Sequence, residues 1–164
     1  MKEDRQMDKK NLIERLLINL QKRAEESKSF FESARQAAIA APGAMQSKSD
    51  TTKYQMSRLA ESSLASYQQI QRCISALKEI DLSKEYKVIG IGAVVTVEED
   101  QGKNYYFILP SDYGNQSVEL EGQEVTAITV KAPITQALLN KKKGDVVEVK
   151  APAGLRTLRI IEIE

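Results

Sequence analysis

Across its first 80 residues the chain holds one proline and one glycine, and the two are adjacent, Pro42-Gly43. Nothing else in that stretch breaks a helix strongly, so both sides of this one reversal are free to run helical. On the N-terminal side Ile13, Leu17, Leu20, Ala24, Ser27, Phe31, Ala34, Ala38 and Ala41 follow one another at alternating steps of four and three. On the C-terminal side Thr52, Met56, Leu59, Ser63, Ser66, Ile70, Cys73, Leu77 and Ile80 do the same over as many steps. Both are heptad a and d series. Two equal seams joined by one breaker predict an antiparallel coiled-coil hairpin over residues 1–82, with its tip at about 42–52. Folded this way, Ile13 and Leu17 lie near Leu77 and Ile80, and Ala41 lies near Thr52. Large apolar residues then gather at the base while alanine and serine line much of the remaining seam. The outer half buries less apolar area and is expected to be the less stable part.

Beyond residue 82 the pattern changes to β-branched runs: "VIGIGAVVTVEE" (88–99), "NYYFILP" (104–110), "EVTAITV" (124–130), "DVVEVK" (145–150) and "RTLRIIEIE" (156–164). They are separated by "DQGKN", "SDYGNQS", "KKKGD" and "APAG", which read as turns. One segment differs, "PITQALLNKKKGD", which opens on proline, carries Ile134, Ala137, Leu138 and Leu139, and stops at Gly144 as a short helix would. Residues 83–164 therefore predict an antiparallel sheet domain with one short helix, and the whole chain an α+β protein.

Composition removes several chemistries. The 24 basic and 23 acidic residues leave a formal net charge of +1, which argues against affinity for nucleic acid through bulk charge. With no histidine, Ser-His-Asp and Cys-His catalysis and the HExxH zinc site are excluded. Cys73, the one cysteine, excludes an internal disulfide and a thiolate zinc cluster, and is read as a packed thiol. The opening "MKEDRQMDKK" lacks the apolar core of a signal peptide. No later run approaches the roughly 20 apolar residues that span a bilayer. The expected setting is cytoplasmic, without a membrane partner.

A long helical hairpin followed by "ITVKAPITQALLNKKKGDVVEVKAPAGLRTLRIIEIE" resembles the Gre family of bacterial transcription elongation factors. The similarity is dense from Val88 to Glu164: a strand ending in valine, Pro-Ile, Ala-Leu, lysine, Gly-Asp, a valine-rich strand, Pro-x-Gly and a last strand. In the hairpin the clearest local match is "SKSDTTKY". The resemblance implies an FKBP-like C-terminal domain that docks at the rim of the RNA polymerase secondary channel, with Lys131, Ala132, Pro133 and Ile134 as the contact. It implies a coiled coil that enters the channel, and a tip whose acids help hold the second catalytic magnesium during transcript cleavage. Polymerase remains the catalyst, so the chain is expected to be no enzyme. No cofactor of its own is expected beyond the magnesium of the polymerase active site. Its contact with DNA and RNA is expected to be indirect, within the elongation complex, and the free protein a monomer.

Carried over from Tyr54, the family's two cleavage acids fall on Ser47 and Asp50, and its later asparagine and acid on Thr51 and Lys53. One of the two acids is thus replaced by a hydroxyl, which lacks the charge a divalent ion requires. Lys48 and Lys53 add positive charge beside it. The expectation is a channel occupant that alters pausing, initiation or active-site access without efficient cleavage. Ser47, Ser49, Asp50 and Tyr54 are the tip candidates, and Asp50 is the metal candidate, shared with polymerase. Asp50 or Ser49 also suits the N-cap of the second helix, and that reading stays open. Pro133 equally suits a first helical turn, and Lys141-Lys142-Lys143 a solvated turn. Tyr105-Tyr106-Phe107 alternates across a strand, placing at least one ring in the core. A prolyl isomerase or a client-gripping chaperone is the alternative, opposed by the few aromatics of residues 83–164 and by the polar tip.

Overall fold

The computed structural model describes residues 6–41 and 51–164. Two long helices come first, α1 (Lys9–Ala40) and α2 (Thr51–Lys78). They are followed by β1 (Val94–Glu99), β2 (Gly102–Ile108), β3 (Gln116–Leu120), β4 (Gln123–Ile128), α3 (Pro133–Leu138), β5 (Val146–Ala151) and β6 (Gly154–Ile163). This is the predicted α+β order, helical hairpin first and sheet second. Two compact units result, one of residues Ile18–Ile74 and one of Met1–Leu17 with Ser75–Glu164.

In the first unit the α1 seam is as the spacing predicts: Leu20, Ala24, Ala34 and Ala38 are buried, and Ser27 and Phe31 half-buried. The α2 seam departs from the prediction at Thr52 and Leu59. Leu59 is 41% exposed while its neighbour Ala60 is 7% exposed. At the other positions Met56, Ser63 and Ser66 are half-buried and Ile70, Cys73 and Leu77 buried, as the spacing predicts, while Thr52 is exposed. At 59/60 two adjacent residues compete for one inward position, whereas Ser66 and Tyr67 are both half-buried and Cys73 and Ile74 both buried. Which one wins at 59/60 depends on the facing helix, which the spacing of α2 does not encode. Lys28, Phe31 and Glu32 border the same hollow as Leu64 and Tyr67, and Ala38 and Ile39 the same hollow as Lys53 and Ser57, so the arms run antiparallel.

The second unit is built on a sheet of strand order β3-β4-β2-β1-β6-β5. Its pairings are antiparallel except β2 with β4, which is parallel, Tyr105 opposite Val125. The exception follows from β3, a strand absent from the sequence reading. After β2 the chain forms β3 at the edge and turns back, so β4 arrives beside β2 pointing the same way. β3 carries only two apolar side chains, Val118 and Leu120, alternating with Ser117 and Glu119, and its other buried residue is Gln116. That is too little β-branched character to stand out from a turn.

Two further boundaries move. The strand predicted from residue 88 begins at Val94, because the chain before it turns through Gly92 at φ +84. A Cβ there would lie 2.8 Å from the Tyr86 hydroxyl, so only glycine fits. The helix predicted to reach Gly144 ends at Leu138, where the chain swings out through Asn140 at φ 63.

Both faces of the sheet are covered, which is why β1 is buried at four consecutive positions, Val94 to Val97. One face packs Val95, Val97, Ile108, Val149, Leu158 and Ile160 with Leu138 of α3. The other carries Val94, Phe107, Val118, Leu120 and Val125, all buried. The first turns of α1 cross it. At one side the Met7 amide donates to the Glu164 carboxylate at 3.1 Å, and at the other the Arg15 guanidinium donates to the Glu119 carbonyl at 3.0 Å. Leu12 and Leu16, fully buried between those anchors, are each worth about 1.5–3 kcal/mol of burial.

Candidate functional site

The loop that enters α3 is held from within. Proline at the first helical position needs no amide partner, and Ala132 before it is extended, at φ −63 and ψ 138, as a residue preceding proline prefers. The Thr129 carbonyl accepts from the buried Thr135 hydroxyl at 2.7 Å and from the Ala132 amide at 3.1 Å. The Gln136 side-chain amide donates to the Val130 carbonyl at 2.6 Å. A second loop braces the first: Asn115 Oδ1 accepts from the Thr129 amide at 3.4 Å, and Asp112 pairs with the Lys131 ammonium.

The four residues singled out for this loop divide into two kinds. Lys131 and Pro133 are exposed, whereas Ala132 and Ile134 are half-buried against the sheet core. Thr135, Gln136, Asn115 and Asp112, which fix the loop's shape, were not singled out. Proline followed two residues later by threonine was a signal for the first of them. Nothing in the spacing links residue 112 to residue 131.

At the other end of the chain, Ser47, Ser49 and Asp50 lie outside the described residues, as does the Pro42-Gly43 reversal. The capping and metal-binding readings of Asp50 lie there with them. Tyr54 is described and stands 63% exposed, away from the seam. Its hydroxyl accepts from the Arg58 guanidinium at 3.2 Å, one helical turn on, and that guanidinium sits 5.8 Å from the ring centre. Among the described residues no group of three or more histidine, cysteine, aspartate or glutamate side chains could hold a metal.

Lys141, Lys142 and Lys143 are exposed on a turn closed by the Asp145 carboxylate, which accepts from the Lys142 amide at 2.9 Å. Phe107 and Tyr106 are both buried, so neither ring lines an open cleft. The Tyr106 hydroxyl accepts from Arg156, whose guanidinium grips Glu99 with two hydrogen bonds. These bonds, that to Glu99 first, hold Arg156 above its ordinary pKa. Tyr86 lies between the Lys9 and Lys84 ammonium groups, 4.6 and 4.9 Å from its ring centre, and donates to the Ile91 carbonyl at 2.8 Å. Burial holds Lys9 below its usual range and pushes Tyr86 and Glu164 above theirs.

Among the described residues no helix is long and apolar enough to cross a membrane. Residues 83–164, half of the chain, match the family described as transcription elongation factor, GreA/GreB, C-terminal. The chain is 29% identical over 131 residues to the transcription elongation factor GreA of Neorickettsia sennetsu, covering 78% of this chain and 79% of that one. It is 34% identical over 100 residues to the GreA of Alkalilimnicola ehrlichii, covering 58% and 59%. It is also similar to the crystal structure of GreA factor homolog 1 (Gfh1) from Thermus thermophilus, at 19% identity and a TM-score of 0.38, covering 90% of this chain and 94% of that one.

Proposed function

The chain belongs to the GreA/GreB family of transcription elongation factors, and on that premise we propose that it binds bacterial RNA polymerase at the secondary channel and modulates elongation. Factors of this family are accessory, and transcript cleavage is catalysed by polymerase. The observation that carries the reading is the family match over residues 83–164, which spans the sheet and the braced loop before α3. The proposed contact is Lys131 to Ile134, with Lys131 and Pro133 facing outward and Ile134 anchoring the loop. We read the sheet unit as FKBP-like and assign it no isomerase activity, since Tyr106 and Phe107 are buried.

The hairpin is the proposed coiled coil that enters the channel, and α1 alone, 32 residues long, would extend about 48 Å. At its tip Asp50 is the one residue proposed to reach the magnesium of the polymerase active site. Two-metal phosphoryl chemistry needs the second ion held by several oxygens in near-octahedral geometry. A single carboxylate beside Lys48 and Lys53 supplies that poorly. The proposed effect is therefore occupancy of the channel with little cleavage. Contacts with DNA and RNA are indirect, the free protein is a monomer, and a polymerase partner puts it in the cytoplasm.

The test uses purified polymerase stalled on a backtracked template with labelled RNA. The wild-type chain is expected to displace a labelled GreA while leaving most transcripts full length. Replacing Pro133 and Ile134 together with alanine should weaken that displacement about tenfold or more, the loss of about 1.4 kcal/mol. Asp50→Ala should leave it unchanged and alter only the effect on elongation. Failure of the wild-type chain to displace GreA would overturn the polymerase reading. Asp50-dependent shortened transcripts would instead make it a cleavage factor.

A further inference from the structure

Between the outer halves of α1 and α2 lies an open furrow of about 490 Å³. It exists because Ala38, Ser57 and Ala60 are too small to fill the seam between the two backbones. Phe31 and Leu64 form its inner end, which continues into a smaller hollow toward Tyr67. Ile39, 66% exposed, stands on its rim. Apolar surface left open this way favours a ligand that covers it.

The rim charges narrow the class of that ligand. Arg35 and Lys53 both line the furrow, against one carboxylate, Glu61. The two ion pairs among the described residues, Lys131 with Asp112 and Arg156 with Glu99, involve neither cation. One carboxylate is too few for a divalent cation. An apolar floor offers nothing to a bare phosphate. We propose that the furrow binds an organic anion with an apolar body, the body lying against Phe31, Ile39 and Leu64 and the anionic group between Arg35 and Lys53. A charge-assisted hydrogen bond to a guanidinium or ammonium group fixes the head, and burial holds the rest.

The experiment titrates the full chain with 1-anilinonaphthalene-8-sulfonate, an aromatic sulfonate that fluoresces in apolar surroundings, and then displaces it with dodecanoate. Binding to one saturable site, reversed by dodecanoate, is expected. The double variant Arg35→Gln, Lys53→Gln should bind the sulfonate about tenfold more weakly, the scale of one charge-assisted hydrogen bond. Its affinity for the uncharged N-phenyl-1-naphthylamine should stay within about twofold, since the apolar floor is intact. Ser57→Leu, which fills the furrow from a half-buried position, should abolish binding of both probes. Circular dichroism checks that each variant keeps the helical content of the wild type. Absence of saturable binding by the wild-type chain overturns the proposal, as does a sulfonate affinity indifferent to either variant. Displacement by a short RNA but not by dodecanoate overturns it too, assigning the two cations to a polyanion. None of these readouts uses polymerase, so the outcome stands apart from the elongation reading.

Discussion

Thr135 is fully buried, yet its hydroxyl is what ties the start of α3 back to the Thr129 carbonyl. Thr135→Val keeps the shape and removes the donor, leaving that carbonyl with the Ala132 amide alone. We expect a loss of about 1–2 kcal/mol in urea unfolding, and Thr135→Ser, which keeps the hydroxyl, to recover most of it. If the polymerase reading holds, the valine variant should also bind more weakly although it changes no exposed atom. A loop presents residues such as Lys131 and Pro133 only as firmly as its hidden bonds hold it.

The helical seams separate what a sequence shows from what it does not. Heptad spacing marked out two helical arms, because helix period is a local property that survives into the fold. It misplaced Leu59 of α2, because the choice between Leu59 and Ala60 belongs to the partner helix. The structure predicts that Leu59→Gln, at a 41% exposed position, changes stability by less than about 0.5 kcal/mol. Ala60→Glu, which places a charge in the seam, should cost more than about 2 kcal/mol. Thermal unfolding followed by helical circular dichroism distinguishes the two, and equal losses would restore the original register. The sheet shows the same division. Its long β-branched runs were legible, whereas β3 was not, since Val118 and Leu120 become a strand only when β4 lies beside them. At the candidate site, proline before α3 was visible in sequence. The Asp112–Lys131 bracing and the Glu99–Arg156 pair were not, being set by how distant segments meet.

At the scale of the molecule, the sheet unit is closed by residues from far apart in the chain, Met7 on Glu164 among them. Burial raises the Glu164 carboxyl above 4.5, so in the window just above that pH the folded state holds more proton than the unfolded one. Stability contributed by this group is therefore present at lower pH and declines as pH rises through the window. Glu164→Gln should flatten that decline in urea midpoints measured from pH 4 to pH 7, and an unchanged slope would remove Glu164 as its source. The same closure has a consequence for biosynthesis. Central strand β1 gains its β6 neighbour, and the Met7 amide its Glu164 partner, only after β6 has left the ribosome. At about 5–20 residues per second β1 waits roughly three to twelve seconds, and the Met7 amide roughly eight to thirty. The arms of the hairpin, both synthesised once Lys78 is added, meet earlier. Translation thus delivers the two hairpin helices before the sheet, and the residues just before α1 are the segment a nascent-chain chaperone would meet unpaired.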